Sequence, residues 1–327
     1  MKKIIPLLLI MFQTSCDFQL SEEFKPTYKP QIVLNSLFTE GKDWQVFISK
    51  NIPAWNQKKD IEITNIDHFI KNAEVFLYEG EKLLTILPYK DKTIKVTNHT
   101  IEPNSIPCYT TSTYFPRSGQ VYRIKVIAEG FPAVEAEGKV PMPILIYDLA
   151  FRKEATSNQN LSKHKVSFKI KDDFNVKNYY MLQVVTEEEH NGTYRHYTSQ
   201  PLLSSDDPIL KSGLNFWEKN QYDIDSEEPL YFNFIFPDDL FNGEEAHMSF
   251  RIWSWGENQR EGSIRHRATL YSMEEEMYEY FQTQTRQVTY REDIFADILP
   301  ITTNVKNGLG IFAGYQNASF TIVDTDK

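Results

Sequence analysis

From about residue 30 onward, apolar and polar residues alternate through most of this chain, the period of two that marks strands with one face buried. Val121–Ile127 puts Tyr122, Ile124 and Val126 on one face and Arg123 and Lys125 on the other. Lys165–Lys171 repeats the pattern, with Val166, Phe168 and Ile170 inward between Lys165, Ser167, Lys169 and Lys171. The same reading predicts strands at Gln31–Leu37, Trp44–Ser49, Ala73–Tyr78, Lys82–Leu87, Thr93–Thr97 and Ala133–Val140. Further on it predicts Leu145–Phe151, Tyr179–Thr186, Leu230–Phe236 and Met248–Trp255. Turn signals separate them: Glu79-Gly80-Glu81, Arg117-Ser118-Gly119, Asn191-Gly192 and Asn242-Gly243. Many short strands punctuated in this way predict a mainly β fold of antiparallel sandwiches.

One segment breaks the period. Ser272 followed by Glu275 forms a capping box, with Glu274, Glu275 and Glu276 in the favourable first turn. Met273, Met277, Tyr280, Phe281 and Gln284 then follow a helical stripe, which predicts one amphipathic helix near 273–284 packed on a sheet. Val140-Pro141-Met142-Pro143 cannot continue a central strand and marks a boundary. Residues 31–142 are then an immunoglobulin-like β-sandwich expected to fold by itself, and 143–327 a second, larger β-sandwich carrying the helix.

The amino terminus changes the picture of where such a protein works. Lys2 and Lys3 precede an apolar run from Ile4 to Phe12, and Thr14-Ser15-Cys16 follows. This is the layout of a secretory signal, and the run is shorter than the roughly 20 apolar residues that span a bilayer. The small residues before Cys16 match a bacterial lipobox, with Gln13 where an aliphatic residue is usual. A plain secretory signal with a chance cysteine is the alternative. On the lipobox reading residues 1–15 are removed, Cys16 is lipidated, and 16–30, with Pro26 and Pro30, form a tether. Cys108 is then left without a disulfide partner, and its apolar setting predicts a buried thiol.

Composition supports a packed interior: 41% of the 327 residues are hydrophobic and 24% charged. With 45 acidic against 35 basic residues the net charge is −10, which disfavours nucleic acid as a partner. Two cysteines cannot build a disulfide scaffold or a multi-cysteine zinc site.

Candidate chemistry is sparse. His190 and His196 flank Asn191-Gly192 and could face each other across a hairpin, but a pair alone is a weak metal site. Asp206-Asp207, Asp223 with Asp225, and Asp238-Asp239 could offer oxygen to calcium, yet read first as turn residues. Trp253 and Trp255 share one face of a strand whose other face carries Phe250 and Ile252, so burial on both sides is preferred to an exposed sugar platform. The segment Gly308-Leu309-Gly310-Ile311-Phe312-Ala313-Gly314 has the wrong spacing for dinucleotide binding, and predicts a strand that bends or packs tightly. No metal, cofactor or catalytic residue is expected.

Several stretches together resemble a known family. They are Gln31–Phe38, Asn72–Glu79, Gly119–Val126, Ser205-Asp206-Asp207-Pro208, Pro237-Asp238-Asp239-Leu240-Phe241-Asn242-Gly243 and the closing Thr303–Phe312 segment. The chain resembles domain-of-unknown-function family 4249, most specifically at Asn304 followed by Gly308-Leu309-Gly310-Ile311-Phe312. The resemblance implies a lipid-anchored outer-membrane lipoprotein of the Bacteroidota type, commonly encoded beside a TonB-dependent transporter, and carries no catalytic residue with it. Only Asp17 stands close to Cys16, so the cell surface and the periplasmic face both stay open. The expected function is an accessory partner of a TonB-dependent β-barrel transporter, in nutrient capture or complex assembly. A free-standing carbohydrate- or peptide-binding module is the alternative, and a hydrolase the third class.

Overall fold

The structure, a computed structural model, describes residues 28–52, 68–91, 96–97, 100–101, 106–156, 161–173, 176–190, 193–196, 201–218, 230–255, 264–289 and 300–323. It is mainly β. The first unit contains β1 (Ile32–Phe38), β2 (Trp44–Lys50), β3 (Glu74–Glu79), β4 (Lys82–Ile86), β5 (Tyr89–Lys90), the small hairpin β6 (Val96–Thr97) and β7 (Thr100–Ile101), β8 (Cys108–Thr111), β9 (Val121–Ile127) and β10 (Val134–Lys139). The second contains β11 (Ile146–Glu154), β12 (Leu161–Lys171), β13 (Tyr179–His190), β14 (Thr193–His196), β15 (Leu202–Ser204), α1 (Pro208–Lys211), β16 (Leu214–Glu218), β17 (Leu230–Pro237), β18 (Glu245–Trp255), β19 (Ile264–Met273) and α2 (Glu275–Thr289). The last strand, β20 (Leu309–Val323), belongs to both.

In the first unit β1-β2-β8-β5 face β10-β9-β3-β4. Alternation supplies the core between them. Leu34, Trp44, Val46 and Ile48 come from one sheet, and Val75, Leu77, Tyr122, Ile124 and Val126 from the other, all buried. The outward residues of β9 pair with their neighbour on β10: Lys125 Nζ lies 3.3 Å from Glu135. The expected inward faces of β9 and β12 are those observed.

The second unit is one continuous sheet in the order β11-β12-β18-β15-β17-β13-β19-β20. It rolls over its own apolar face, because Phe168 in β12 and Phe320 in β20 lie far apart in the pairing order yet 5.6 Å apart in space. Between them pack Val166, Phe250, Phe234, Phe236, Leu182 and Leu270. The roll is not a closed barrel; among the described residues β11 pairs with β12 alone.

Helix α2 lies close to where the stripe placed it, and Met277 packs with Met273, Tyr179, Ile311 and Ala313 on the outer face of the sheet. Its cap differs from the expected box. Ser272 is held in β19 opposite Gln316, and the Glu274 carbonyl accepts from Met277 N at 3.1 Å and Tyr278 N at 3.2 Å. Strand pairing has claimed Ser272, so the helix opens two residues later.

The boundary at Val140–Pro143 is one of two crossings. Leu309–Gly314 returns to pair with β1, from Val33↔Leu309 to Phe38↔Gly314, and this pairing is parallel where antiparallel was expected. From Tyr315 on, the same strand pairs antiparallel with β19. Val305 and Phe312 are buried in the first core, where Phe312 lies 4.6 Å from Phe38 and stacks on Trp44 at 6.0 Å. Asn304 fastens the return: its Nδ2 donates to the Glu137 carbonyl at 2.9 Å and the Phe312 carbonyl at 2.8 Å, while its Oδ1 accepts from Phe312 N at 3.0 Å. Gly310 lets the backbones meet. With φ at 103°, its missing side chain would stand 2.0 Å from the Leu34 carbonyl oxygen. The tight packing expected of the glycine-rich segment is therefore met, in a strand that completes the first unit.

Candidate functional site

The turn joining β1 to β2 and the middle of β20 enclose a cleft of about 500 Å³. Leu37, Phe38 and Tyr315 give it apolar walls; Thr39, Lys42, Asp43 and Gln45 give it polar ones. The parallel register explains the meeting, because Leu37 lies beside Ala313 and so brings Tyr315 up to the end of β1. Burial pushes the Tyr315 hydroxyl above its usual range, so the ring stays neutral.

Three side chains tie the turn to the strand. Ser118 Oγ donates to Glu40 at 2.6 Å, and Gln316 Nε2 reaches Ser118 Oγ at 2.6 Å and Glu40 at 3.2 Å. The Ser118 hydrogen bonds, helped by Gln316, hold the Glu40 carboxyl below the usual carboxylate range. On the other side Ser112 Oγ donates to Asp43 at 2.9 Å, and Gly41 N to the Pro116 carbonyl at 3.2 Å. These bonds hold loop 112–118, with its exposed Tyr114 and Phe115, beside the cleft. An aromatic wall, a planar amide, a carboxylate and an ammonium are the means of binding a polar ligand.

The residues singled out in the sequence lie elsewhere. Cys16 falls outside the described residues, as do Asp223 and Asp225. Cys108 is buried, as its setting predicted. The register pairs His196 with Glu187 and His190 with Thr193, so the two histidines do not oppose each other. Asp207 caps α1 through Ile209 N at 2.9 Å and accepts from Ser249 N at 2.9 Å, while Asp206 lies 3.7 Å from Arg251. Trp253 is buried beside Leu161 and Leu202, with its Nε1 donating to Ser204 Oγ at 2.9 Å; Phe250 and Ile252 fill the core behind it. Asp238 and Asp239 part company. Asp239 pairs with Lys177 at 3.0 Å, and Asp238 turns into the protein, where its Oδ2 accepts from Asn178 N at 2.6 Å.

The model of a family described as Domain of unknown function (DUF4249) matches residues 16–321. The chain belongs to this family. No curated protein matches it. The matched span takes in both units and nearly all of β20, so the doubly used strand lies within what defines the family. Sequence reasoning missed the cleft, whose only local marks are Thr39–Asp43 as a turn between two strands and the adjacent Tyr114-Phe115.

Proposed function

We propose that this family member is a lipid-anchored envelope protein that serves as an accessory partner of an outer-membrane TonB-dependent transporter. The observation that carries the reading is where the family match opens. It starts on Cys16, the residue that lipobox processing would leave as the new amino terminus, and it excludes the charged and apolar leader before it. A lipid at Cys16 confines the protein to a membrane surface and raises its effective concentration toward anything embedded there. The resemblance supplies the identity of that neighbour. The order β1-β2-β8-β5 against β10-β9-β3-β4 supports reading the first unit as immunoglobulin-like, a scaffold whose loops and edges serve contacts.

The test is fractionation joined to co-purification. Tagged protein is expected to partition with membranes, to lose that partition in Cys16→Ser, and to bring a β-barrel transporter with it in mild detergent after cross-linking in intact cells. Membrane partition that survives Cys16→Ser overturns the anchor. Recovery of anchored protein alone turns the function toward a second reading, a free-standing carbohydrate- or peptide-binding module, which the polar cleft with Tyr315 favours.

A further inference from the structure

At the end of the second unit, where β12 runs out and the loop after β17 turns back, two carboxylates are withdrawn from solvent. Asp172 is 6% exposed and Asp238 0%. Asn178 grips both, through its backbone N to Asp238 Oδ2 at 2.6 Å and its Nδ2 to Asp172 Oδ1 at 3.1 Å. Asp172 is well supplied: Tyr180 donates its hydroxyl at 2.5 Å, and Gly243 N reaches Oδ2 at 2.9 Å. Asp238 is not. Its Oδ1 is buried and accepts no hydrogen bond among the described residues. Lys177 is ion-paired with Asp239, and burial, together with the charges of Asp172 and Asp239, pushes the Asp238 carboxyl above its usual range. Buried polar atoms are almost always satisfied, and an orphaned carboxylate oxygen beside a second buried carboxylate calls for a positive charge or a proton.

We propose that this loop cluster binds a hard divalent cation, calcium in preference to magnesium, with Asp238 Oδ1 as a ligand and Asp172 as the second negative charge. Oxygen donors without nitrogen or sulfur select a hard cation. Among the described residues no three acidic, His or Cys side chains converge. The remaining positions would therefore fall to backbone carbonyls and water, a mixed shell that calcium tolerates better than magnesium, which demands a near-ideal octahedron. The site is independent of the anchor and of the cleft.

The experiment is thermal unfolding of the purified full chain, stripped with chelator and titrated with calcium chloride, against magnesium chloride and sodium chloride at matched ionic strength. The wild type is expected to gain on the order of 5 °C once calcium exceeds its dissociation constant a hundredfold. Magnesium should do less, and Asp238→Asn should lose the response. A second measurement needs no variant: terbium luminescence sensitised by nearby tyrosine, Tyr180 foremost, should be displaced by calcium in a saturable, one-to-one manner. Asp238→Asn at least as stable as the wild type, with calcium moving neither protein, would overturn the proposal and assign Asp238 as a buried neutral carboxyl. Absence of calcium-displaceable terbium signal would overturn it equally.

Discussion

The two halves of β20 are a natural experiment in one strand. Leu309–Gly314 lies in the first unit, runs parallel to β1, and needs Gly310 and Gly314 because neighbouring backbones come too close for a side chain. Tyr315–Val323 lies in the second unit, runs antiparallel to β19, and carries Phe320 and Ile322 toward an ordinary apolar core. The first half was inserted into a sandwich built from residues more than 160 positions earlier, with Asn304 to Glu137 marking the join. The second half sits beside its own sequence neighbour. A strand received from afar must fit backbones already in place, so it carries glycine where β1 and β10 come closest, at Gly310 and Gly314, on either side of the core ring of Phe312.

The widest break in that comparison removes the received strand. Residues 31–142 lack Val305 and Phe312 from their core and leave the outer edge of β1 unpaired. The expectation from the proline boundary, that this segment folds alone, should therefore fail: it should show no cooperative thermal transition. Appending residues 300–314 through a flexible linker should restore one. Cooperative melting of 31–142 alone, close to that of the full chain, would show that β20 is an accessory to the first unit and not part of it.

What the sequence made legible follows from where polar residues had to be. In β9 and β12 charged residues alternate with apolar ones, because one face meets water, and the inward sets were readable residue by residue. In β19 the inward set includes His266 beside Ala268 and Leu270, with Arg265 and Arg267 outward, so the apolar signal is diluted. In the first half of β20 Phe312 enters one core while Ile311 and Ala313 on either side lie under α2, so no alternation exists to be read there, whereas Ala318, Phe320 and Ile322 in the second half alternate with exposed Asn317, Ser319 and Thr321. Its parallel register with β1 has no local signature at all. The burial of Asp238 was illegible for a related reason: Asp-Asp before Leu-Phe-Asn-Gly looks like a solvated turn, and the groups that hold the cluster inward include Asn178 on Asp238 and Tyr180 on Asp172, far back in the chain.

Matched substitutions in the two halves sharpen the contrast. Phe312→Ala removes a fully buried ring touching Phe38 and Trp44, and should destabilise by about 3–5 kcal/mol. Phe320→Ala removes a half-buried ring that meets Phe168, and should lose roughly half as much or less. Urea unfolding of the two variants against the wild type reads the difference directly. Equal losses would mean that the received half is no more tightly fitted than the resident one.

The smallest effect lies at the opposite edge of the second unit, where among the described residues no returning strand covers β11. There the edge is held by charge. Glu154 faces Lys163 across the β11–β12 pair at 3.7 Å, and also meets Arg251 Nε at 3.1 Å and Arg152 at 3.3 Å. Burial alone would raise its pKa, but the Arg251 hydrogen bond and the charges of Arg251, Lys163 and Arg152 outweigh it, leaving the carboxyl below its ordinary 4.5. A carboxyl lowered in the folded state contributes stability above its unfolded pKa, and that contribution is lost as pH falls through the folded value. Glu154→Gln should therefore cost up to about 1 kcal/mol at neutral pH in low salt, and progressively less below about pH 4.5 or in high salt, because the pair is partly exposed and screened. The check is urea unfolding of both proteins between about pH 3.5 and 7 at two ionic strengths. A difference that neither acid nor salt reduces would mean that packing, not charge, holds the β11 edge, as strand pairing and the Phe312 ring hold β1 beside β20.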